Sequence, residues 1–313
     1  MFRVVTLVTL VFLMLGALAA METPDPKQPS EHQLLRIGTC DSLALAAGNV
    51  DEQAATDTLR SFIKDETGFN NEILKQDGWK DMVDKMRKGQ LDLGVFQGYE
   101  FAWAKEKYPE LNPLAIAMNV YRNRYAYVVA RKDSSLSDFS SLKGQAMAIP
   151  QSVEGQLSLF VDHLAKQAGK SADAYFSRVT HPKSIEDTLD DVVDGVVQAA
   201  VVDRVGVEAY KRLKPGRFQQ LKEVVHSGPF PSPVVACYDR KLDTRAVDKV
   251  VNGLLNSNQT DRGQRLLEMF KLTRFERPPA GFDQLLQATR REYPLSDQAA
   301  GSLVQPASRA SNR

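Results

Sequence analysis

The chain has 313 residues, of which 43% are hydrophobic and 25% are charged. This length allows one large domain or two of medium size, and the composition is that of an ordinary globular protein with a packed core. The net charge of +1 excludes the overall basic character that general binding to nucleic acid or to an anionic membrane requires, so we expect no nucleic-acid partner.

An apolar run, Val4 to Ala20, occupies the N-terminus directly after a basic residue. The run ends in small residues, and the Ala-Leu-Ala sequence that closes at Ala19 is typical of a signal-peptidase cleavage site. An uncleaved membrane anchor is the alternative, because the run is near the lower end of the ~17–25 residues that a bilayer span requires. We expect residues 1–20 to be a signal peptide cleaved near Ala19 or Ala20, followed by a linker over 21–33. The mature protein would then be periplasmic.

From Leu34 onward, short apolar runs alternate with amphipathic stretches. The apolar residues of Trp79 to Lys88 recur at helical spacing, and Gly89 ends that helix. The order strand, helix, strand, helix, strand predicts a parallel sheet covered by helices. The predicted strands are Leu34–Gly38, Asn71–Gln76, Leu91–Phe96 and Leu114–Val120, and the predicted helices are Ala54–Thr67, Trp79–Lys88 and Phe101–Tyr108.

A second unit of the same kind follows. Its predicted strands are Tyr125–Arg131, Ala146–Ile149, Phe176–Val179, Gln198–Val202 and Leu221–Val225, and its predicted helices are Gly155–Gln167, Ser184–Val193 and Val205–Leu213. The proline-rich Ser227–Pro233 breaks regular structure. After it come one strand, Val234–Tyr238, and three helices, near Thr244–Leu255, Asp261–Phe270 and Phe282–Tyr293. Residues 294–313 have little apolar content and are predicted to be disordered.

The two α/β units predict two lobes that exchange chain. Lobe 1 would hold residues 31–120 plus 234–293 and lobe 2 residues 121–233, with hinge crossovers near 118–125 and 227–233. Two independent lobes in series are the alternative. Exchange is favoured because the final segment, one strand with three helices, makes a poor domain alone. A ligand cleft between the two lobes is the expected arrangement.

Polar peptides follow the predicted strands at their carboxyl ends, where ligands bind in open α/β sheets. They are Thr39–Ser42, Gln97–Glu100, Pro150–Gly155, Thr180–Pro182 and Asp203–Arg204, and both lobes contribute. Ser152 precedes a helix whose first N–H groups have no partner within the helix. It could therefore line an anion site, or it could only cap the helix.

Other polar residues at these strand ends have two interpretations each. His181 could donate to an anion or hold its own loop, and Tyr99 could contact a ligand or pack at the edge of the core. Asp203 could accept a hydrogen bond from a ligand ammonium or from a protonated oxyanion. Arg122 and Arg124 lie on the first crossover, where a solvated surface is favoured over the mouth of the cleft.

No catalytic constellation is found in the sequence. It contains no Gly-x-Ser-x-Gly elbow, no His-Glu-x-x-His sequence and no phosphate-binding Gly-x-x-x-x-Gly-Lys-Ser/Thr loop. Neither Cys40 nor Cys237 has the spacing to a histidine that a metal site requires. We therefore predict a binding protein rather than an enzyme, with no metal and no cofactor.

Four stretches of the chain carry motifs in a distinctive order and spacing: Gly89–Tyr99, Tyr127–Lys143, Thr180–Ala200 and Ser227–Pro233. Together they resemble the phosphate-, phosphite- and phosphonate-binding proteins of ABC transporters, over about Leu34 to Tyr293. The resemblance implies a type II periplasmic-binding fold. In that fold each of two lobes is a mainly parallel sheet flanked by helices, and two crossover segments join the lobes.

In that family an anion is held by a Ser-Thr-Ser-Gly turn at a helix start, with a histidine and acidic residues from neighbouring strand ends. The resemblance places the turn on Ser152, Val153, Glu154 and Gly155, the histidine on His181 and an acidic residue on Asp203. It also implies an aromatic contact from Tyr99, with Tyr125 as a second candidate. Val153 and Glu154 depart from the family pattern, because the first lacks a hydroxyl donor and the second adds a carboxylate beside the expected anion.

The resemblance implies delivery of a small oxyanion, of the phosphonate, phosphite or phosphate class, to an ABC permease and its ATPase, and we expect a monomer. Three alternatives remain: a ligand-sensing module for a membrane receptor, an enzyme on the same fold, and a binder of a different ligand.

In this fold the first strand and the returning strand flank a third strand. Cys40 and Cys237 would then be too far apart for a disulfide, so we predict two free thiols.

Overall fold

The computed structural model describes residues 34–40, 51–151, 155–239 and 241–295. The predicted signal peptide over 1–20, the linker over 21–33 and the predicted disordered tail from residue 296 onward lie outside the described residues. Within the described part of the chain, no helix is both long enough and apolar enough to cross a bilayer.

The strands and helices follow in the alternating order that the sequence predicts. In chain order the strands are β1 (Leu34–Thr39), β2 (Asn70–Lys75), β3 (Leu93–Phe96), β4 (Leu111–Met118), β5 (Asn123–Arg124), β6 (Ala126–Arg131), β7 (Ala146–Ala148), β8 (Arg178–Thr180), β9 (Ala199–Asp203), β10 (Leu221–His226), β11 (Phe230–Pro231), β12 (Val234–Tyr238) and β13 (Arg274–Glu276). The helices are α1 (Glu52–Thr67), α2 (Trp79–Arg87), α3 (Gly98–Lys107), α4 (Gly155–Gln167), α5 (Ala172–Tyr175), α6 (Ile185–Val193), α7 (Arg204–Leu213), α8 (Pro215–Phe218), α9 (Thr244–Leu255), α10 (Asp261–Met269) and α11 (Phe282–Glu292).

The two main sheets have equivalent strand orders once the edge strand β13 is set aside. The six-stranded sheet has the order β13-β4-β12-β3-β1-β2, and the five-stranded sheet has the order β10-β6-β9-β7-β8. Each sheet contains an inner strand that runs antiparallel to both of its neighbours: β12 lies between β3 and β4, and β6 lies between β9 and β10. In the six-stranded sheet β4 is also antiparallel to both of its neighbours, because β13 pairs with it antiparallel. Each of these two strands is the first long strand after the chain has crossed from the other sheet. The predicted two-lobed α/β fold, with sheets flanked by helices, is confirmed, and each sheet is mixed, with both parallel and antiparallel pairs.

The two crossovers between the sheets run side by side. The short strand β5 pairs antiparallel with β11, so that Arg124 lies opposite Phe230 and Asn123 lies opposite Pro231. The Ala126 backbone N–H also donates to Ser227 Oγ at 3.0 Å. Both hydrogen-bonded links tie the first crossover to the second, so the two segments form one short ribbon between the lobes.

The six-stranded sheet buries a different set of apolar residues on each face, as the alternation of a strand requires. Val234 packs in the cluster that includes residues of α2, α3 and α11, whereas its neighbour Val235 packs in the cluster that includes residues of α1, α9 and α10. Fully burying one such aliphatic side chain stabilises a fold by roughly 1.5–3 kcal/mol. Helices on both faces therefore fix the sheet, and they fix the positions of the loops that follow its strands.

One predicted strand begins later in the structure, and one strand of the structure was not predicted. The strand predicted over Phe176–Val179 begins later, because Ala172–Tyr175 form the one-turn helix α5 with Ser171 Oγ accepting from Ala174 N. The strand β13 was not predicted, since three residues between helices carry too little periodicity to be recognised. It pairs antiparallel with β4 and becomes the edge of the six-stranded sheet.

The cysteines are positioned as predicted. Strand β12, which carries Cys237, and strand β1, which Cys40 follows, lie on opposite sides of β3. No disulfide joins Cys40 to Cys237 in the part of the chain that the structure describes. The separation of two strand spacings explains why they cannot approach to disulfide distance.

Candidate functional site

A cavity of about 510 Å³ lies where the carboxyl ends of strands from both sheets converge. The six-stranded sheet contributes polar residues that end or follow its strands, namely Thr39, Gln97 and Asn119. The five-stranded sheet contributes the corresponding residues Gln151, Lys183 and Asp203. The rule that ligands bind beyond the carboxyl ends of parallel strands therefore identifies this edge of both sheets.

Two residues predicted for the site, Tyr99 and Gly155, meet across the two sheets. Tyr99 is the second residue of α3, is only 4% exposed and packs edge-on against Trp103 with ring centroids 5.1 Å apart. Gly155 is the first residue of α4, and a Cβ built on it would lie 2.1 Å from Tyr99 Oη. The tyrosine hydroxyl therefore lies against the start of the helix where the sequence places the anion, and only glycine leaves room for it.

The start of α3 is fixed by its own residues and by the second crossover. Gln97 and Glu100 form a capping box, in which each side chain accepts from the backbone N–H of the other. A Cβ at Gly98 would lie 1.9 Å from the carbonyl oxygen of Pro231, so this glycine lets the helix approach the crossover backbone. The capping box gives Glu100 a structural role and holds Tyr99 in place.

Asp203 is the most buried acidic residue at the cavity, with 7% of its surface exposed. It ends β9 and caps α7, where its Oδ1 accepts from the Gly206 backbone N–H at 2.9 Å. Burial raises the pKa of Asp203, while the hydrogen bond from Gly206 and the charge of Arg124 oppose that rise. The carboxyl group of Asp203 therefore stays protonated to a higher pH than the carboxyl group of an exposed aspartate does.

Arg124 lines the same cavity and corrects the sequence interpretation of this residue as a solvated surface side chain. It lies in β5, is half-buried, and its charge acts on Asp203. The sequence could have indicated this position, because Arg124 comes two residues before β6, on the crossover that must pass the mouth of the cleft. Asn119 was also missed, although it directly follows β4 and the strand-end rule applies to it equally.

The loops after β7 and β8 are hydrogen-bonded to each other beside the cavity. The Ile149 N–H donates to Thr180 O at 2.9 Å, and the Gln151 N–H donates to Pro182 O at 2.7 Å. The exposed His181 has its Nδ1 3.1 Å from Ile149 O, so Nδ1 carries the proton in that hydrogen bond. The backbone contact orients the ring and leaves its Nε2 for another partner.

Not every residue predicted for the site lines the cavity. Among the described residues predicted for the site, only Asp203 lines the cavity; Tyr99, Tyr125, Gly155 and His181 do not, and Tyr125 is half-buried just after β5. Ser152, Val153 and Glu154 lie outside the described residues. The structure thus brings together Tyr99 with Gly155 and places Asp203 at the cavity wall.

Replacing Asp203 by asparagine separates its capping role from its charge. Asparagine caps a helix as well as aspartate does. The folded-state pKa of Asp203 lies above its ordinary value of 3.8, so the wild-type protein loses stability as the pH rises from about 4 toward the raised pKa. We expect Asp203→Asn to melt at a higher temperature than the wild type at about pH 7, with a difference that shrinks toward about pH 4. Thermal unfolding across this pH range checks the expectation; a variant less stable than the wild type at neutral pH would contradict it.

A sequence model of the family described as "ABC transporter, phosphonate, periplasmic substrate-binding protein" matches residues 46–280, which is most of the chain. The chain belongs to this family. As its description states, members of this phosphonate-binding family are periplasmic substrate-binding proteins of ABC transporters, a transport class and not an enzyme class. A comparison with curated proteins found no match.

Solved structures of binding proteins share the fold at low sequence identity. XAC2383 from Xanthomonas citri bound to chloride ion has a TM-score of 0.60 and 16% identity, over 83% of this chain and 97% of that chain. PhnD1 from Prochlorococcus marinus in complex with methylphosphonate has a TM-score of 0.57 and 15% identity, over 83% and 97%. A binding protein component of an ABC phosphonate transporter (PA3383) from Pseudomonas aeruginosa has a TM-score of 0.54 and 13% identity, over 88% and 91%. At these identities the likeness establishes the fold that this phosphonate-binding family member shares with them.

Proposed function

We propose that this protein captures a small oxyanion of the phosphonate, phosphite or phosphate class between its lobes and delivers it to an ABC transporter by hinge closure. The observation that carries the proposal is the cavity into which strand ends of both sheets converge. Tyr99 of one lobe also meets Gly155 of the other at the start of α4. A ligand held by both lobes stabilises the arrangement in which the lobes lie together, in proportion to its differential affinity for that state.

Positive groups around the cavity support an anionic ligand. Arg124 and Lys183 line it, and α4 starts at Gly155, four residues after the lining residue Gln151. The first N–H groups of a helix and the positive end of its dipole attract anions. Asp203, with its raised pKa, would accept from a protonated oxyanion oxygen or donate its own proton to a deprotonated one.

The proposed hinge consists of the crossovers near 118–125 and 227–233. The β5–β11 ribbon connects them through the pairs Phe230 with Arg124 and Pro231 with Asn123, which make a short link about which the lobes can rotate. Arg124 lies within this ribbon and also lines the cavity, so a bound anion would contact the hinge directly.

The transporter would recognise the ligand-bound shape. The partners proposed are a membrane permease and its ATPase, and the protein would act as a periplasmic monomer. His181 and Tyr125 remain proposed ligand contacts that would approach the anion as the lobes close around it, together with the turn of Ser152, Val153, Glu154 and Gly155.

A thermal-shift screen tests the proposed function. A ligand that binds only the folded state raises the melting temperature, by a few degrees for a protein of this size once the ligand is well above its Kd. Phosphate, phosphite and methylphosphonate are compared with sulfate, glycine, arginine and glucose at equal ionic strength. We expect at least one phosphorus oxyanion to raise the melting temperature more than any other compound. A shift with an amino acid or a sugar, and none with the phosphorus oxyanions, would contradict the proposal.

A further inference from the structure

The cavity is larger than a small oxyanion requires. A water molecule occupies about 30 Å³ of liquid, so methylphosphonate, with its handful of non-hydrogen atoms, needs on the order of 100 Å³. The cavity measures about 510 Å³, within the roughly 300–1,000 Å³ of pockets that hold larger organic ligands. Most of its volume therefore lies beyond the group that the polar strand ends would bind.

The remaining volume has an apolar wall contributed by lobe 1. Leu59 and Ile63 of α1, Val250 and Leu254 of α9, and Leu266 of α10 line it. All five belong to, or pack against, the apolar cluster on one face of the six-stranded sheet. The polar and charged residues named above line the same cavity, so one chamber combines charged strand-end residues with aliphatic helix residues.

We propose that the ligand is an amphiphilic organophosphorus anion, with an aliphatic chain that lies against the helices α1, α9 and α10. This inference rests on the proposed function, because the head group would occupy the oxyanion site at Arg124 and the strand ends. The charge of Arg124 and Lys183 fits the head group, and the aliphatic wall fits the chain. A ligand with both parts fills the chamber and leaves no charged atom against Leu59 or Leu254.

The aliphatic wall predicts that the affinity of a phosphonate rises with the length of its aliphatic chain. Each methylene transferred from water to an apolar site gains up to about fourfold in affinity. Ordering of the flexible chain offsets part of that gain. We therefore expect butylphosphonate to bind at least tenfold tighter than methylphosphonate, and octylphosphonate to bind at least as tightly as butylphosphonate.

Calorimetric titration of methyl-, butyl- and octylphosphonate into the mature protein tests the inference, and the chain offers a matched pair of variants. Leu59 and Leu255 are both half-buried leucines that pack against the same apolar cluster, but among them only Leu59 lines the cavity. The readout is the gain in affinity from methyl- to butylphosphonate within each variant, and we expect Leu59→Gln to lose most of that gain. Leu255→Gln should keep that gain.

The wild-type series decides the matter without any variant. Butyl- and octylphosphonate binding no tighter than methylphosphonate would overturn the inference and leave the proposed function standing. Failure of all three phosphonates to bind, together with no thermal shift from phosphate or phosphite, would overturn the proposed function itself.

Discussion

Gly155→Ala is expected to lower the affinity for methylphosphonate at least tenfold. The new Cβ would lie 2.1 Å from Tyr99 Oη, and Tyr99 is held by a buried ring contact with Trp103. Forcing an extra carbon into such a packed contact costs about 1–3 kcal/mol, and about 1.4 kcal/mol corresponds to a tenfold change in affinity. Alanine is the better helix former, so any loss reports the contact between the lobes and not a weaker α4. Isothermal titration calorimetry measures the effect.

A second substitution identifies the clashing atom. Removing the hydroxyl with Tyr99→Phe leaves Cζ at 3.1 Å from the methyl carbon that alanine would add, a distance that small shifts can relieve. The double variant should therefore recover most of the affinity that Gly155→Ala loses. Gly216→Ala is the matched control, since a Cβ there would meet nothing within 4 Å. Wild-type affinity in Gly155→Ala, or equal losses in the single and double variants, would contradict the proposed contact.

Arg124→Gln is expected to weaken oxyanion binding by about ten- to a hundredfold. A hydrogen bond to a charged group contributes about 1.5–3 kcal/mol net, and Arg124 is the cationic residue that lies both in the hinge ribbon and at the cavity wall. Loss of its charge also removes an influence that lowers the pKa of Asp203, so the carboxyl group should hold its proton to a higher pH. Affinity for methylphosphonate measured at several pH values reports both effects.

Arg122→Gln is the matched control for that experiment. Arg122 lies two residues earlier on the same crossover, but its side chain is 54% exposed and forms an ion pair with Glu276 at 2.9 Å. Exposed pairs of this kind contribute about 0–1 kcal/mol. We expect Arg122→Gln to bind methylphosphonate within threefold of the wild type. Equal losses in the two variants would mean that overall charge, and not the position of Arg124, determines binding.

The sequence was sufficient for the fold because each lobe repeats a strong local pattern. Apolar runs alternate with amphipathic helices, and glycines at positive φ such as Gly68 and Gly169 follow α1 and α4 where the sequence predicts their ends. The return of β12 to the first sheet was predictable from the Pro-rich segment before it. The sequence predicts only helices after β12, so this strand would have no partner strand within its own segment. Strand β13 was not, because three residues acquire their strand character only by pairing with β4.

The candidate site was predictable only in part. Thr39, Gln97, Gln151 and Asp203 follow from the strand-end rule, which depends on local sequence and sheet direction alone. The approach of Tyr99 to Gly155 depends on how two lobes meet, and no spacing within one lobe encodes that distance. The position of Arg124 depends likewise on the pairing of β5 with β11, two short strands that come from different crossovers.

Asp203 lowers the stability of the folded protein at neutral pH relative to an asparagine at the same position. Its burial places a carboxyl group at the cavity wall with a raised pKa, where an asparagine would cap α7 equally well. Retention of a costly group at a binding site is the usual sign that stability has been exchanged for function. Weaker binding of methylphosphonate by Asp203→Asn, alongside its higher melting temperature, would be the corresponding observation.

The most direct test of oxyanion binding between the lobes is a crystal structure of the protein grown with methylphosphonate. We expect phosphonate density in the cavity, with oxygen atoms within hydrogen-bond distance of Arg124 and of the backbone at the start of α4, next to Tyr99. Phosphonate bound on the outer surface, or a cavity filled by the protein's own side chains with no room for the anion, would contradict it.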